Sequence, residues 1–153
     1  MKALGADVVL SDSDIAGGKG AGPLDERLEP PKLALNCVGG KSTMFLAGAL
    51  RSGGKLVTYG AMAPQPLLVN PAHVIFNRIE LHGFWLSHFF MDQAQKGEQG
   101  AKEVDEMFSE LSRLLVEKKL LTPTFEEHPL ENFKTAVQNA TKPFAHKQLL
   151  RME

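Results

Sequence analysis

Leu33-Ala34-Leu35-Asn36-Cys37-Val38-Gly39-Gly40-Lys41-Ser42 is a short apolar run closed by two glycines. The run Leu33–Val38 suits a buried parallel strand, because strands covered on both faces read as continuous apolar stretches rather than alternating ones. Downstream, Met44, Phe45, Leu46, Ala47 and Leu50 recur with helical period, and Gly53-Gly54 is expected to end that helix. Lys55–Tyr59 then reads as a second strand, stopped by Gly60. A proline-rich stretch (Pro64, Pro66, Pro71) leads to a helical turn near Ala72–Phe76 and a third strand over Ile79–Phe84. Short strands alternating with helices imply an α/β fold, with a parallel sheet wound in right-handed crossovers.

Farther downstream, Val104, Met107, Phe108, Leu111, Leu114 and Leu115 fall at the spacing of one helix face. Acidic Glu103, Asp105 and Glu106 are expected in its early turns and Lys118 and Lys119 at its end, which matches the helix dipole. Phe125–Leu130 reads as a strand. Leu130, Phe133, Val137 and Ala140 suggest a short helix, and Lys147–Met152 a closing strand. Upstream, Lys2–Leu4 reads as the tail of a helix, Gly5 as its stop and the stretch around Val8 as a strand. Residues 11–31 form a polar loop ending in Pro30-Pro31, with a flexible glycine-rich part at 17–22.

Composition excludes several classes. The net charge is −1, so no basic excess points to nucleic acid or to an anionic membrane surface. No apolar run reaches the roughly 18 residues of a membrane-spanning helix. Hydrophobic content of 43% and charged content of 23% describe an ordinary globular chain. Cys37 is the single cysteine, which rules out an internal disulfide and a cysteine-rich zinc site. With no base nearby in sequence, it reads as a small buried apolar residue rather than a nucleophile. The five histidines make no H-x-x-x-H or H-E-x-x-H pair, so no metal is expected.

Three strand ends attract attention: Asn36–Gly40, Tyr59–Met62 and Phe84–Leu86. In open α/β sheets, ligands bind in the crevice beyond the carboxyl ends of the strands. Gly39, Gly40 and Gly60 would let the backbone approach a flat ring closely, and Phe84 and Trp85 could wall such a crevice. Gly39-Gly40-Lys41-Ser42 is similar to the tail of a phosphate loop, but position 35 is Leu where the loop needs Gly. Counting from Gly18, a G-x-G-x-x-G fingerprint fails at Pro23.

Taken together, Leu4-Gly5-Ala6-Asp7, the stretch 33–42, Val57-Thr58-Tyr59-Gly60-Ala61-Met62, Leu81-His82-Gly83-Phe84-Trp85-Leu86-Ser87, Lys142-Pro143-Phe144 and Lys147-Gln148 resemble the mitochondrial trans-2-enoyl-CoA (enoyl-ACP) reductases. That family lies in the zinc-free branch of the medium-chain dehydrogenase/reductases. The resemblance runs through nearly all 153 residues in order. It implies NADPH-dependent reduction of the 2,3 double bond of enoyl-CoA or enoyl-ACP thioesters in mitochondrial fatty-acid synthesis. It also implies cofactor contacts from Tyr59, Gly60, Ala61, Met62, Phe84, Trp85, Leu86 and Lys147. No catalytic residue is expected here, because the family's catalytic tyrosine lies in an N-terminal region without a counterpart in these residues.

The resemblance implies a partial Rossmann domain over 1–121, holding strands 3 to 6 of a six-stranded, doubly wound parallel sheet. Residues 122–153 would return to the GroES-like substrate domain. By this alignment the chain is a C-terminal fragment, marginally stable and inactive alone, with an apolar unpaired edge along Leu33–Cys37. Homodimerisation through Ile79–Phe84 is a further implication. A related quinone or alcohol reductase fragment, or a non-catalytic dimerisation module, is the competing reading.

Overall fold

The computed structural model describes residues 5–11, 29–142 and 145–152. The helix tail expected at Lys2–Leu4 and the glycine-rich stretch 17–22 lie outside them. The described chain divides into two compact units, Met1–Met91 and Asp92–Glu153.

In the first unit, β1 (Leu33–Asn36), β2 (Lys55–Thr58) and β3 (Glu80–Gly83) form a parallel sheet in chain order. The register pairs Leu33 with Lys55 and Lys55 with Glu80, and continues to Asn36, Thr58 and Gly83. Helix α1 (Gly40–Ala49) crosses from β1 to β2, and the short α2 (Pro71–Ile75) precedes β3. Asn70 caps α2 by accepting from the Ala72 N–H at 3.0 Å, and Pro71 stands at the first turn, where its missing N–H costs nothing.

In-register neighbours of a parallel sheet point the same way, and successive residues alternate between faces. Ala34 and Leu56 therefore share one face. They are buried with Ala47 and Leu50 of the α1 crossover and with Ile79. The other face presents Leu33, Leu35, Lys55, Glu80 and His82, all exposed. There Glu80 bridges Lys55 at 3.6 Å and His82 at 2.9 Å.

The α/β class and the sequential parallel strands match the expectation. The strand expected near Val8 is corrected: residues 8–11 carry no strand and join neither sheet among the described residues. The stop of α1 also differs. Leu50 is already extended (φ −69°, ψ 143°), and Gly53 instead supplies the left-handed corner (φ +72°) of the turn into β2.

Helix α3 (Leu86–Gln95) was not anticipated, because Leu86 was read only as part of a strand-end loop. It leads through Gly97 (φ +61°) into α4 (Glu98–Val116). This helix starts earlier than its apolar stripe, so Glu98 is the acidic residue of the first turn and Glu103, Asp105 and Glu106 sit farther along. In the second unit, β4 (Phe125–Pro129) and β5 (Lys147–Arg151) pair in parallel. A 3-10 turn at Leu130–Asn132 and helix α5 (Phe133–Ala140) form the crossover between them.

Candidate functional site at the strand ends

The carboxyl ends of β1, β2 and β3 form one rim. Asn36, Thr58 and Gly83 are register partners, so the segments after them leave the sheet side by side. Backbone bonds stitch these segments together. The Tyr59 N–H donates to the Asn36 carbonyl (3.0 Å), Met62 N–H to Cys37 (3.1 Å), Ala63 N–H to Val38 (2.9 Å) and Phe84 N–H to Thr58 (2.9 Å).

Beneath the rim, Asn36 is 1% exposed. Its Oδ1 accepts from the Val38 and Gly39 N–H groups, each at 3.1 Å. Its Nδ2 donates to Thr43 Oγ1 at 3.4 Å and Thr58 Oγ1 at 3.2 Å. Thr43 is fully buried at the start of α1. Gly39 takes φ +88° and ψ −164°, a region open almost only to glycine, and Gly40 follows at φ +59°. A Cβ on Gly60 would sit 3.1 Å from the Cys37 carbonyl oxygen and 3.3 Å from its Cβ, so glycine permits the close approach of the two loops.

Sequence reading singled out Tyr59, Gly60, Ala61, Met62, Phe84, Trp85 and Leu86. The structure gathers them on this single rim. Tyr59, Met62, Phe84, Trp85 and Leu86 all expose large parts of their side chains. The Trp85 ring meets His88 edge-on at 4.4 Å, and Phe84 and Phe89 lie 6.4 Å apart. A hydrogen bond with the Cys37 side chain, and the charge of that thiol when ionised, raise the Tyr59 hydroxyl above its ordinary value of 10.0. Cys37 is half-buried and has no disulfide. Lys147, the eighth residue, opens β5 in the second unit and is exposed. Among the described residues no group of three His, Cys, Asp or Glu side chains could hold a metal ion, and no helix is long and apolar enough to cross a membrane.

Sequence reading treated Asn36 only as one letter of a motif and did not single out Thr43 or Thr58. A polar residue ending an apolar strand, with hydroxyls 7 and 22 positions on, carries no spacing rule that announces a buried network.

An apolar rim with flat side chains at its edges has the chemistry to hold a planar heteroaromatic ring. Its exposed aromatic faces offer stacking surface, but the glycines expected to face the ring serve the chain itself: Gly39 and Gly40 are buried against the 63–67 segment, chiefly Gln65, and Gly60 lies against Cys37.

No family model matches the chain. It is 37% identical over 153 residues to the mitochondrial enoyl-[acyl-carrier-protein] reductase of Xenopus tropicalis, spanning 99% of this chain and 43% of that protein. The chain thus covers about two fifths of that relative's length. The mitochondrial location implied by the resemblance agrees with the relative's name. The Etr1p/NADP/crotonyl-CoA complex superposes with a TM-score of 0.62 at 28% identity, over 79% of this chain and 32% of that one. The 2-enoyl thioester reductase Etr1p/Etr2p heterodimer from Candida tropicalis gives the same score, identity and coverage. Sequence similarity along its whole length and the shared parallel-sheet architecture support an enoyl reductase fragment of the medium-chain dehydrogenase/reductase type.

Proposed function

We propose that the chain supplies the nicotinamide-side wall of an NADPH-dependent enoyl-thioester reductase. One observation carries this reading. Tyr59–Met62 and Phe84–Leu86 leave adjacent parallel strands at the same end, bonded to Asn36 and Thr58. That is where an α/β sheet binds its ligand.

A dihydronicotinamide supplies a hydride for the β-carbon of a 2,3-unsaturated thioester, and a proton then completes the α-carbon. The chain's own residues bind and orient. Gly39, Gly40 and Gly60 let the loops beneath the ring pack closely on one another, while Tyr59, Met62, Phe84 and Trp85 flank the ring and exclude water. Lys147 offers a positive charge to a phosphate. None of the described residues is assigned the proton donor. The expected substrate is an enoyl-CoA or enoyl-ACP, and the location mitochondrial. Residues 1–121 belong in this reading to the dinucleotide-binding domain and 122–153 to the return into the substrate domain. All four residues of β3 are exposed at the sheet edge, which supports pairing with a second copy through Ile79–Phe84. Alone, the chain is expected to bind cofactor weakly and to turn over no crotonyl-CoA.

The test is titration of the isotope-labelled chain with NADPH, followed by backbone amide shifts. The amides of Tyr59–Met62 and Phe84–Leu86 are expected to move together. The reading fails if millimolar NADPH leaves them unchanged while others respond, or if none respond.

A further inference from the structure

We propose that Asn36 is a positioning residue, holding the three rim segments at the height the ligand requires. The proposal rests on the reading of the rim as a nicotinamide site.

The carboxamide of Asn36 is saturated. Its oxygen takes two N–H donors, which fixes the flip of the amide, and its nitrogen donates to two hydroxyls. Each contact controls a different segment. The two N–H groups belong to Val38 and Gly39, so the amide holds Gly39 in its strained conformation. The Thr43 hydroxyl ties the first turn of α1 to the same point. The Thr58 hydroxyl ties the end of β2. The main chain completes the arrangement, because the Asn36 carbonyl holds the Tyr59 N–H and the Thr58 carbonyl holds the Phe84 N–H. Every segment assigned to the cofactor-facing rim is therefore one or two hydrogen bonds from this side chain. A buried amide with four partners is costly to remove, since each abandoned partner keeps its desolvation penalty.

The experiment compares the wild-type chain with Asn36→Leu, Asn36→Asp and Thr58→Val. It reads amide hydrogen exchange at Val38 and Gly39, NADPH affinity from amide shifts, and the melting temperature. Asn36→Leu abandons all four partners. Exchange at Val38 and Gly39 is expected to rise at least about tenfold and affinity to fall by about tenfold or more. Asn36→Asp can still accept from both N–H groups, and its second oxygen accepts from both hydroxyls. It is expected to keep the slow exchange that Asn36→Leu loses, a rescue that mere side-chain volume would not provide. Should Asn36→Leu fail to fold, Thr58→Val removes one bond at nearly constant shape and is expected to weaken affinity about threefold or more with little change in melting temperature. Wild-type exchange in a folded Asn36→Leu, or wild-type affinity in Thr58→Val, overturns the proposal. A wild-type chain whose rim ignores NADPH sinks the functional reading instead, and the exchange comparison still decides the role of Asn36.

Discussion

Tyr59 is the only tyrosine of the chain, so its titration can be followed without interference. Its hydroxyl is raised above 10.0 chiefly by the hydrogen bond with Cys37. The phenolate absorbance of the native chain is expected to appear above that value, and Cys37→Ala to bring it back toward 10.0. A group raised on folding favours the native state below its unfolded value, and this contribution is lost as pH rises through the folded one. Gly60 gives a second residue-scale prediction. Gly60→Ala drives a Cβ against the Cys37 backbone and is expected to cost about 1–3 kcal/mol in a urea melt. Gly53→Ala meets open space and carries only the left-handed backbone penalty, about 1 kcal/mol. That Gly60 could serve a close approach was legible in the sequence, but its partner was not: a flat ligand ring was expected, and the Cys37 loop fills the space instead. The amide of Asn36 was not legible, because its partners come from a helix and a neighbouring strand and only the fold brings them together.

At the scale of elements, the strands and their order followed from apolar runs punctuated by glycine and proline. Helix α3 escaped because Phe89, Phe90 and Met91 crowd together without a helical period, and no N-cap side chain announces its start. Its junction with α4 depends on Gly100, where a Cβ would overlap the Gln93 carbonyl. Gly100→Ala is expected to force the two helix ends apart, at about 3 kcal/mol or more by chemical denaturation. Helix α4 also carries carboxylates with partners. Glu103 is lowered below 4.5 by Gln99 and Lys96, Glu110 by Arg113, and Glu117 by Lys119 and Arg113. In β3, His82 and Lys55 do the same for Glu80. Groups depressed on folding stabilise the native state above their unfolded value and cease to as pH falls through the folded one. The melting temperature is therefore expected to be level from neutrality to about pH 5 and to decline below about pH 4.5. High salt should flatten the decline, since every one of these pairs faces solvent.

At the largest scale, the described residues of the first unit cover its sheet on one face only. Parallel sheets are ordinarily buried on both, and here Leu33 and Leu35 remain 52% and 59% exposed on the strand that forms the sheet's edge. An apolar, unpaired edge invites association. Leu35→Lys is expected to lower light scattering of the concentrated chain without lowering its melting temperature, because Leu35 takes no part in the buried cluster. The apolar edge expected from the resemblance over Leu33–Cys37 is thus present in β1. That one face would lie bare was harder to read. Continuous apolar character reports that a strand is built to be covered, not which segment covers it.

The bond from Asn36 to Thr58 spans 22 residues, and this sets a schedule during synthesis. At ribosomal rates of about 5–20 residues per second, the carboxamide leaves the exit tunnel about one to four seconds ahead of the hydroxyl that completes it. Until then the turn at Gly39 has only local partners, and the apolar run before it is without its neighbouring strand. A nascent chain of this sequence is most vulnerable in that interval, and most in need of a chaperone that shields short apolar segments.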